Sequence, residues 1–400
     1  MDFKKDFPML NNDIIYFDNA ATSLKPKCVI DAITDYYYNY SSNAHRGDYK
    51  LSVKASNKFE DTRRKVKEFI NADSEKEIVF TSGATESLNM IVSCFFKDIL
   101  KENDEVITTK SEHASVILPW FNLENEKGIK VKFASLDENY CLDENTVISM
   151  ISDKTKVIVL SHITNVIGDI RNIKAIASEA HKRGIYVVVD ASQSIGHINV
   201  DVKDMGADFL AFSAHKMLGP TGVGVLYGKE EFLKKFKPFK FGGGMNISFN
   251  SPKEIEYKDL PYKLEAGTQN IDGVIGLGTA IDYINKIGIK EIERIDNELK
   301  EYLIEKLKKL DNIILYNEKA KSSLVIFNVK GVFSQDTALY LDKYNIAIRS
   351  GSHCAKKLED ELGISNTCRI SLYFYNTKEE IDRLIDALNN KNILEESIGV

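Results

Sequence analysis

The 400-residue sequence contains no apolar run approaching the ~18 residues of a membrane-spanning helix, and its start, MDFKKDFPML, lacks the apolar stretch of a secretory leader. It also lacks a basic surplus. Lys and Arg number 53 against 59 Asp and Glu, a formal charge of −6, which argues against a general nucleic-acid-binding or acidic-membrane surface. Cysteine is scarce and odd in number: Cys28, Cys94, Cys141, Cys354 and Cys368 include no CxxC pair. That disfavours a disulfide framework and a structural zinc site, so no metal is expected and a reducing cytoplasmic setting is. Each thiol is then judged separately, the default being a small buried hydrophobe, and Cys28, Cys94, Cys141 and Cys368 are expected to be that. Internal repeats, low-complexity tracts and obvious flexible linkers are missing too. What is present is 43% hydrophobic and 28% charged residues, the balance of a globular protein with a sizeable core.

From about residue 75 to 230, short β-rich runs alternate with helical patterns. The predicted strands are Ile78–Thr81, Val106–Thr109, Lys130–Ala134, Val157–Ser161, Tyr186–Asp190, Phe209–Ser213 and Val223–Tyr227. Several are continuously apolar, as strands buried on both faces are. Between two of them, Ile173, Ile176, Ala177 and Ala180 recur at helical spacing before the stop signal Gly184. The pattern predicts an α/β layer structure around a mostly parallel sheet. After residue 285 the texture changes. Ile289, Ile292, Ile295, Leu299, Leu303, Leu307 and Leu310 mark one face of a long helix, followed by strands Ser323–Val329 and Ile346–Arg349 and a helix around Lys378–Asn389. This predicts a smaller α+β domain. The glycine- and aromatic-rich segment 236–268 reads as loop with short strands.

In an open parallel sheet, ligands gather at the carboxyl ends of the strands, and several polar residues fall there. After Ile78–Thr81 comes SGATES, a small-residue turn with Ala84 and Thr85 opening a helix, which suits an anion or equally a plain capped turn. Asp190 ends a strand, with Gln193 three residues on; a carboxylate there suits a helix cap or the protonated ring nitrogen of pyridoxal phosphate. His113 follows another strand and is suited to stacking on a ring or to surface packing. Lys216, in FSAHKMLGP, lies between two predicted strands, where an unpaired ammonium is costly but a Schiff-base amine is not. Ser213 and His215 flank it as possible phosphate donors. A solvated turn lysine is the ordinary alternative, and the coincidence of these groups at neighbouring strand ends outweighs it.

The stretches VVVDASQSIGHINVDV, ADFLAFSAHKMLGPTGVGVLYG, KLEAGTQN and GVIGLGTAI resemble the class V aminotransferase group of pyridoxal phosphate enzymes, fold type I. RSGSHCAKKL, followed by CRISLYFYNTKEEIDRLIDAL, resembles the group II cysteine desulfurases of the SufS/CsdA type. The likeness runs in order from YFDNAATSLKPKCVIDAI to the last helix. It implies a fold-type I transferase with a mostly parallel seven-stranded sheet in a large domain, residues 16–270, and a small α+β domain, residues 285–400 with 1–15. It implies Lys216 as the lysine joined to pyridoxal 5'-phosphate, Asp190 on the pyridine nitrogen, Gln193 on the phenolic oxygen and His113 stacked on the ring. Ala84, Thr85, Ser213 and His215 would hold the phosphate, with Thr268 reaching across from the second subunit of a homodimer. Asn165 and Arg369 would take the substrate carboxylate, His45 and Arg46 would stand at the entrance, and Arg349 near the cysteine loop.

Cys354 is the implied nucleophile, in a polar loop with Arg349, His353, Lys356 and Lys357 nearby, a positive setting that suits a reactive sulfur. The loop departs from the family at Ser352, often histidine or glutamine, and at Lys356-Lys357, often glutamine-proline; SGATES is closer to the group I form. The implied reaction converts L-cysteine to L-alanine and a Cys354 persulfide, passed to an acceptor of the SufE or SufU type for iron–sulfur cluster assembly. Selenocysteine lyase or cysteine-sulfinate desulfinase activity, another class V activity, and a non-catalytic scaffold are the alternatives.

Overall fold

The computed structural model describes residues 3–390 and 392–398, so Met1, Asp2, Lys391, Gly399 and Val400 of the expected small domain lie outside the described residues. Val187, Val188 and Val189 are buried on both faces of their strand, as a strand between two helical layers requires. Around it lies a seven-stranded sheet: β1 (Ile78–Thr81), β2 (Glu105–Thr109), β3 (Lys130–Ala134), β4 (Thr155–Ser161), β5 (Tyr186–Asp190), β6 (Phe209–Ser213) and β7 (Gly224–Gly228). The order is β1-β7-β6-β5-β4-β2-β3, and all neighbours are parallel except β7, which runs against both β6 and β1. The seven predicted strands are therefore all present, and the mostly parallel α/β sheet with them.

The antiparallel β7 brings its first residue to the edge where the other strands end. Gly224 pairs with Thr81 on one side and Ser213 on the other. A Cβ on Gly224 would stand 2.7 Å from the backbone nitrogen of Gly83, in the turn that opens helix α1 (Ala84–Ile91). Only glycine permits that approach.

The C-terminal part builds a second, antiparallel sheet from β8 (Ile313–Leu315), β9 (Leu324–Val329), β10 (Arg349–Gly351) and β11 (Thr367–Ser371), in the order β8-β9-β11-β10. One predicted strand is corrected here. The run Ile346–Arg349 is split, because Ile346–Ala347 pairs in parallel with Ile15–Tyr16 while Arg349 opens β10 beside β11. The chain's beginning is thus stitched to its end, and Phe17 O accepts from Ser371 N at 2.7 Å. The long amphipathic helix spans Ile289–Leu307, so Leu310 falls beyond it, and the last predicted helix spans Lys378–Leu388. The segment 236–268 is mostly loop, with the hairpin Asn246–Phe249 and Ile255–Tyr257.

Among the helices that went unpredicted are Lys27–Asp35, Lys50–Phe69 and Ile271–Ile287. The last contains Gly273, Gly276 and Gly278, which weaken a helical reading because glycine disfavours helix. They are there for close packing. A Cβ at Gly276 would stand 3.0 Å from Ile33, and one at Gly278 would meet Thr62, so the glycines let this helix lie against the other two.

Gly224→Ala is expected to lower stability by about 1–3 kcal/mol, as overpacking does. Urea unfolding of both proteins measures it, and an unchanged midpoint would show that the turn yields freely.

Candidate active site

The edge where β1, β2, β4, β5 and β6 end is held by one buried ion pair. Arg171 and Glu112 are fully buried, and Arg171 Nη1 donates to Glu112 Oε1. Arg171 Nη2 donates to Thr109 Oγ1 (2.9 Å) and Ser111 Oγ (2.8 Å), and Glu112 Oε2 accepts from Ser161 N (2.9 Å). The turn after β2 is thereby tied to the end of β4. That turn delivers His113, which caps helix α2 (Ala114–Lys127) by accepting from Ser115 N at Nδ1 (3.1 Å). Burial, and then the nearby Lys216 cation, hold His113 below the ordinary histidine value.

A cavity of about 190 Å³ opens at this edge. Asp190 stands at the end of β5, and Ser192 holds its Oδ1 by N (2.9 Å) and Oγ (2.6 Å), leaving Oδ2 for a ligand. Gln193 Nε2 donates to Ala20 O at 3.0 Å. At the end of β6, Ser213 Oγ accepts from Ala84 N (2.8 Å) at the start of α1, and Thr85 Oγ1 shares a hydrogen bond with Ser115 Oγ (2.7 Å). Lys216 closes the single 3-10 turn between β6 and β7. Burial pushes its amine down to about 8, opposed by the Asp190 carboxylate and assisted by Arg369 and Arg349. His215 is pushed down to about 4 by burial, and its carbonyl accepts from Ser23 N at 2.9 Å.

The C-terminal sheet supplies the opposite wall. Arg369, buried in β11, donates to Asn165 O (2.8 Å) and Asp18 Oδ1 (3.1 Å), while its Nε has no partner. Asn165 donates to His353 O (2.7 Å), and its Oδ1 is also unpartnered. Arg349 lines the same cavity and reaches Cys354, with Nη2 at 3.8 Å from Sγ. Cys354 itself is exposed, and its carbonyl accepts from Ala114 N at 2.8 Å, so the cysteine loop is bonded to the helix that His113 caps.

Eleven of the predicted site residues therefore line one cleft: Ala84, Thr85, His113, Asn165, Asp190, Gln193, Ser213, His215, Lys216, Arg349 and Arg369. His45, Arg46 and Thr268 do not, and Cys354 is not in the lining itself but adjoins it through the lining residues His353 and Arg349. His45 pairs with Glu60 (3.0 Å), Thr268 accepts from Asn43 (3.3 Å), and Arg46 packs beside Gly243 and Gly244.

The expected positive surrounding of Cys354 is also narrower than the sequence suggested. Lys356 pairs with Glu359, Lys357 sits over the Phe121 and Phe133 rings, and His353 bonds to Thr367 and is held by burial at about 3, hence neutral. Arg349 is the cation that touches the sulfur. The other cysteines divide as well: Cys94 and Cys368 are buried, with thiols pushed up to about 12, whereas Cys28 is exposed and Cys141 half-buried. Sequence reasoning missed Ser115, Ser192 and Asp18. The serine two positions past Asp190 was a readable turn signal, whereas Asp18 had none.

A seven-stranded α/β sheet with a buried amine, a carboxylate and a helix start gathered at its strand ends is the framework of a fold-type I transferase. The family described as Aminotransferase class-V matches residues 15–384, and the chain belongs to it. It is 42% identical over 392 residues to a probable cysteine desulfurase of Halalkalibacterium halodurans, covering 97% of this chain and 96% of that protein. It is 39% identical to a cysteine desulfurase of Haloferax volcanii, covering 94% and 89%. Among solved structures, the apo cysteine desulfurase of Thermococcus onnurineus superposes with a TM-score of 0.93 at 40% identity, covering 100% of this chain and 98% of that one. The cysteine desulfurase CsdA of Escherichia coli gives 0.92 at 35% identity, covering 98% of each, in keeping with the SufS/CsdA resemblance.

The amine of Lys216 has a measurable consequence. Its folded value, about 8, lies below the ordinary lysine value of 10.5, so within that window the unfolded chain binds the extra proton and stability rises with pH. Relative to Lys216→Met, the ligand-free protein is expected to gain up to about 3 kcal/mol across it. Urea unfolding of the two proteins at each end of the window checks this; identical pH dependence would show a solvated amine.

Proposed function

We propose that this protein is a pyridoxal phosphate-dependent L-cysteine desulfurase that releases L-alanine and keeps the sulfur as a persulfide on Cys354. The observation that carries the reading is the placement of an exposed thiol, with Arg349 3.8 Å from Sγ, at the rim of the cleft that holds Lys216 and Asp190. The relatives named cysteine desulfurase support it. The residues fit the cofactor: Lys216 offers an amine neutral near pH 8 for the aldehyde, and Asp190 a free Oδ2 for the pyridine nitrogen. Gln193 suits the phenolic oxygen and His113 the ring face. The start of α1 with Ala84, Thr85, Ser213 and His215 suits the phosphate, since the positive helix end and its free N–H groups favour an anion.

Bound there, pyridoxal phosphate supplies the electron sink that makes the Cα proton of an amino acid removable. Arg369 and Asn165 orient the substrate carboxylate, Arg369 through its unpartnered Nε. Lys216 Nζ, enclosed and held near neutrality, takes the proton from Cα. Cys354 Sγ attacks the substrate sulfur; the Sγ–S bond forms as the Cβ–S bond breaks, and the electron pair left on Cβ takes up a proton to give the methyl group of alanine. The enzyme thiol and cysteine are thus converted to persulfide and alanine without an external oxidant. An acceptor of the SufE or SufU type then takes the sulfur for iron–sulfur cluster assembly in the cytoplasm. A homodimer would bring the partner's copy of the His45, Arg46 and Thr268 region toward the cleft, which these three residues do not line within one chain.

Mass spectrometry after mixing with L-cysteine is expected to show one added sulfur on the peptide bearing Cys354, and Cys354→Ser is expected to stop sulfide release. Label on Cys28 or Cys368, or sulfide release at the parent rate, would overturn the reading. Arg369→Lys loses the planar fork, and kcat/KM for L-cysteine is expected to fall by about 10- to 100-fold, chiefly through KM. Steady-state alanine formation measures it.

A further inference from the structure

Behind the cleft lies a larger cavity, about 710 Å³, between the helix Ile289–Leu307, the start of β9 and the segment after β5. Ala20, Ile163 and Gln193 form a wall common to both cavities. Nothing in the reaction above uses the larger one.

Its lining carries three buried polar atoms without a partner. Lys300 and Asp296, one turn apart on the long helix, are 5% and 4% exposed, yet they make no ion pair with each other. Asp296 Oδ2 is bonded to His197 Nδ1 (2.7 Å), while Asp296 Oδ1, Lys300 Nζ and Ser322 Oγ have no hydrogen-bond partner among the described residues. Burial pushes Lys300 down to about 8, and pushes Asp296 up to about 6 against the opposing pull of His197. An unpaired buried ammonium and a half-paired carboxylate are both costly, and a ligand carrying the complementary charges relieves both at once. At the rim Lys308 pairs with Glu318 at 2.6 Å and Glu305 with Lys309 at 2.6 Å, while Glu293, Glu301 and Lys321 stand where water reaches them. Ile170, Ile198, Ile304 and Leu372 supply apolar wall.

We propose that this cavity binds a zwitterionic α-amino acid with an apolar side chain, its carboxylate on Lys300 Nζ and Ser322 Oγ and its ammonium on Asp296 Oδ1. A simple anion would use Lys300 and leave Asp296 unmet; a simple amine would do the reverse.

Calorimetric titration of the cofactor-loaded protein with L-leucine tests this, with isocaproate, the same skeleton without the ammonium, as the second probe. L-leucine is expected to bind, isocaproate to bind at least about tenfold more weakly, and Lys300→Met and Asp296→Asn each to weaken L-leucine at least about tenfold. Unchanged visible absorbance of the bound cofactor shows that the variants are folded, and Lys300→Gln replaces Lys300→Met if that protein does not fold. Absence of binding to the parent protein, undiminished affinity in either variant, or equal affinity for isocaproate overturns the proposal. Undiminished affinity would place the amino acid in the catalytic cleft instead.

Discussion

The buried guanidinium of Arg369 spans the gap between the two sheets. It rises from the C-terminal sheet, donates to the backbone of Asn165 beyond β4, and takes its one carboxylate from Asp18 near the chain's start. Burial pushes Arg369 down to about 10 and holds the Asp18 carboxyl above its ordinary range, so neither ion is comfortable. Below about pH 8 Lys216 joins Arg349 in adding positive charge to the same cleft, which Asp190 and Asp18 then incompletely balance. The cleft is therefore electropositive, and a carboxylate and a phosphate are the groups that best complete it. Through Arg369, ligand binding is coupled to one of the links that hold the two sheets together.

The cysteine loop shows the same economy of anchoring. His353 and Cys354 both adopt left-handed backbone angles, φ 51° and 58°, which disfavour residues other than glycine by roughly 1–2 kcal/mol each. Three bonds hold them there: Asn165 to His353 O, His353 Nε2 to Thr367, and Ala114 N to Cys354 O. The strain turns the thiol outward while its backbone remains fixed to the cleft wall.

The large sheet was legible because strands such as Val187–Val189 are continuously apolar and no other packing suits them. The cleft residues were legible because they fall at strand ends, where Asp190, His113 and Lys216 could be counted off the strands, and Arg369 and Asn165 through family likeness. The Ile271–Ile287 helix was not legible, since its glycines answer to Ile33 and Thr62 on helices more than two hundred residues earlier. The neutralising of Lys356 and Lys357 depends on Glu359 and on two rings from other elements. Nothing in the periodicity of the long helix marks Lys300, which stands next to Leu299 and is nonetheless buried.

The bond between Ala114 N and Cys354 O reaches further than its 2.8 Å suggests. Ala114 is the first residue of the helix that His113 caps, so loop and imidazole move as neighbours on one rigid mount. Any contact that shifts the cysteine loop therefore also shifts the His113 ring that lines the cleft.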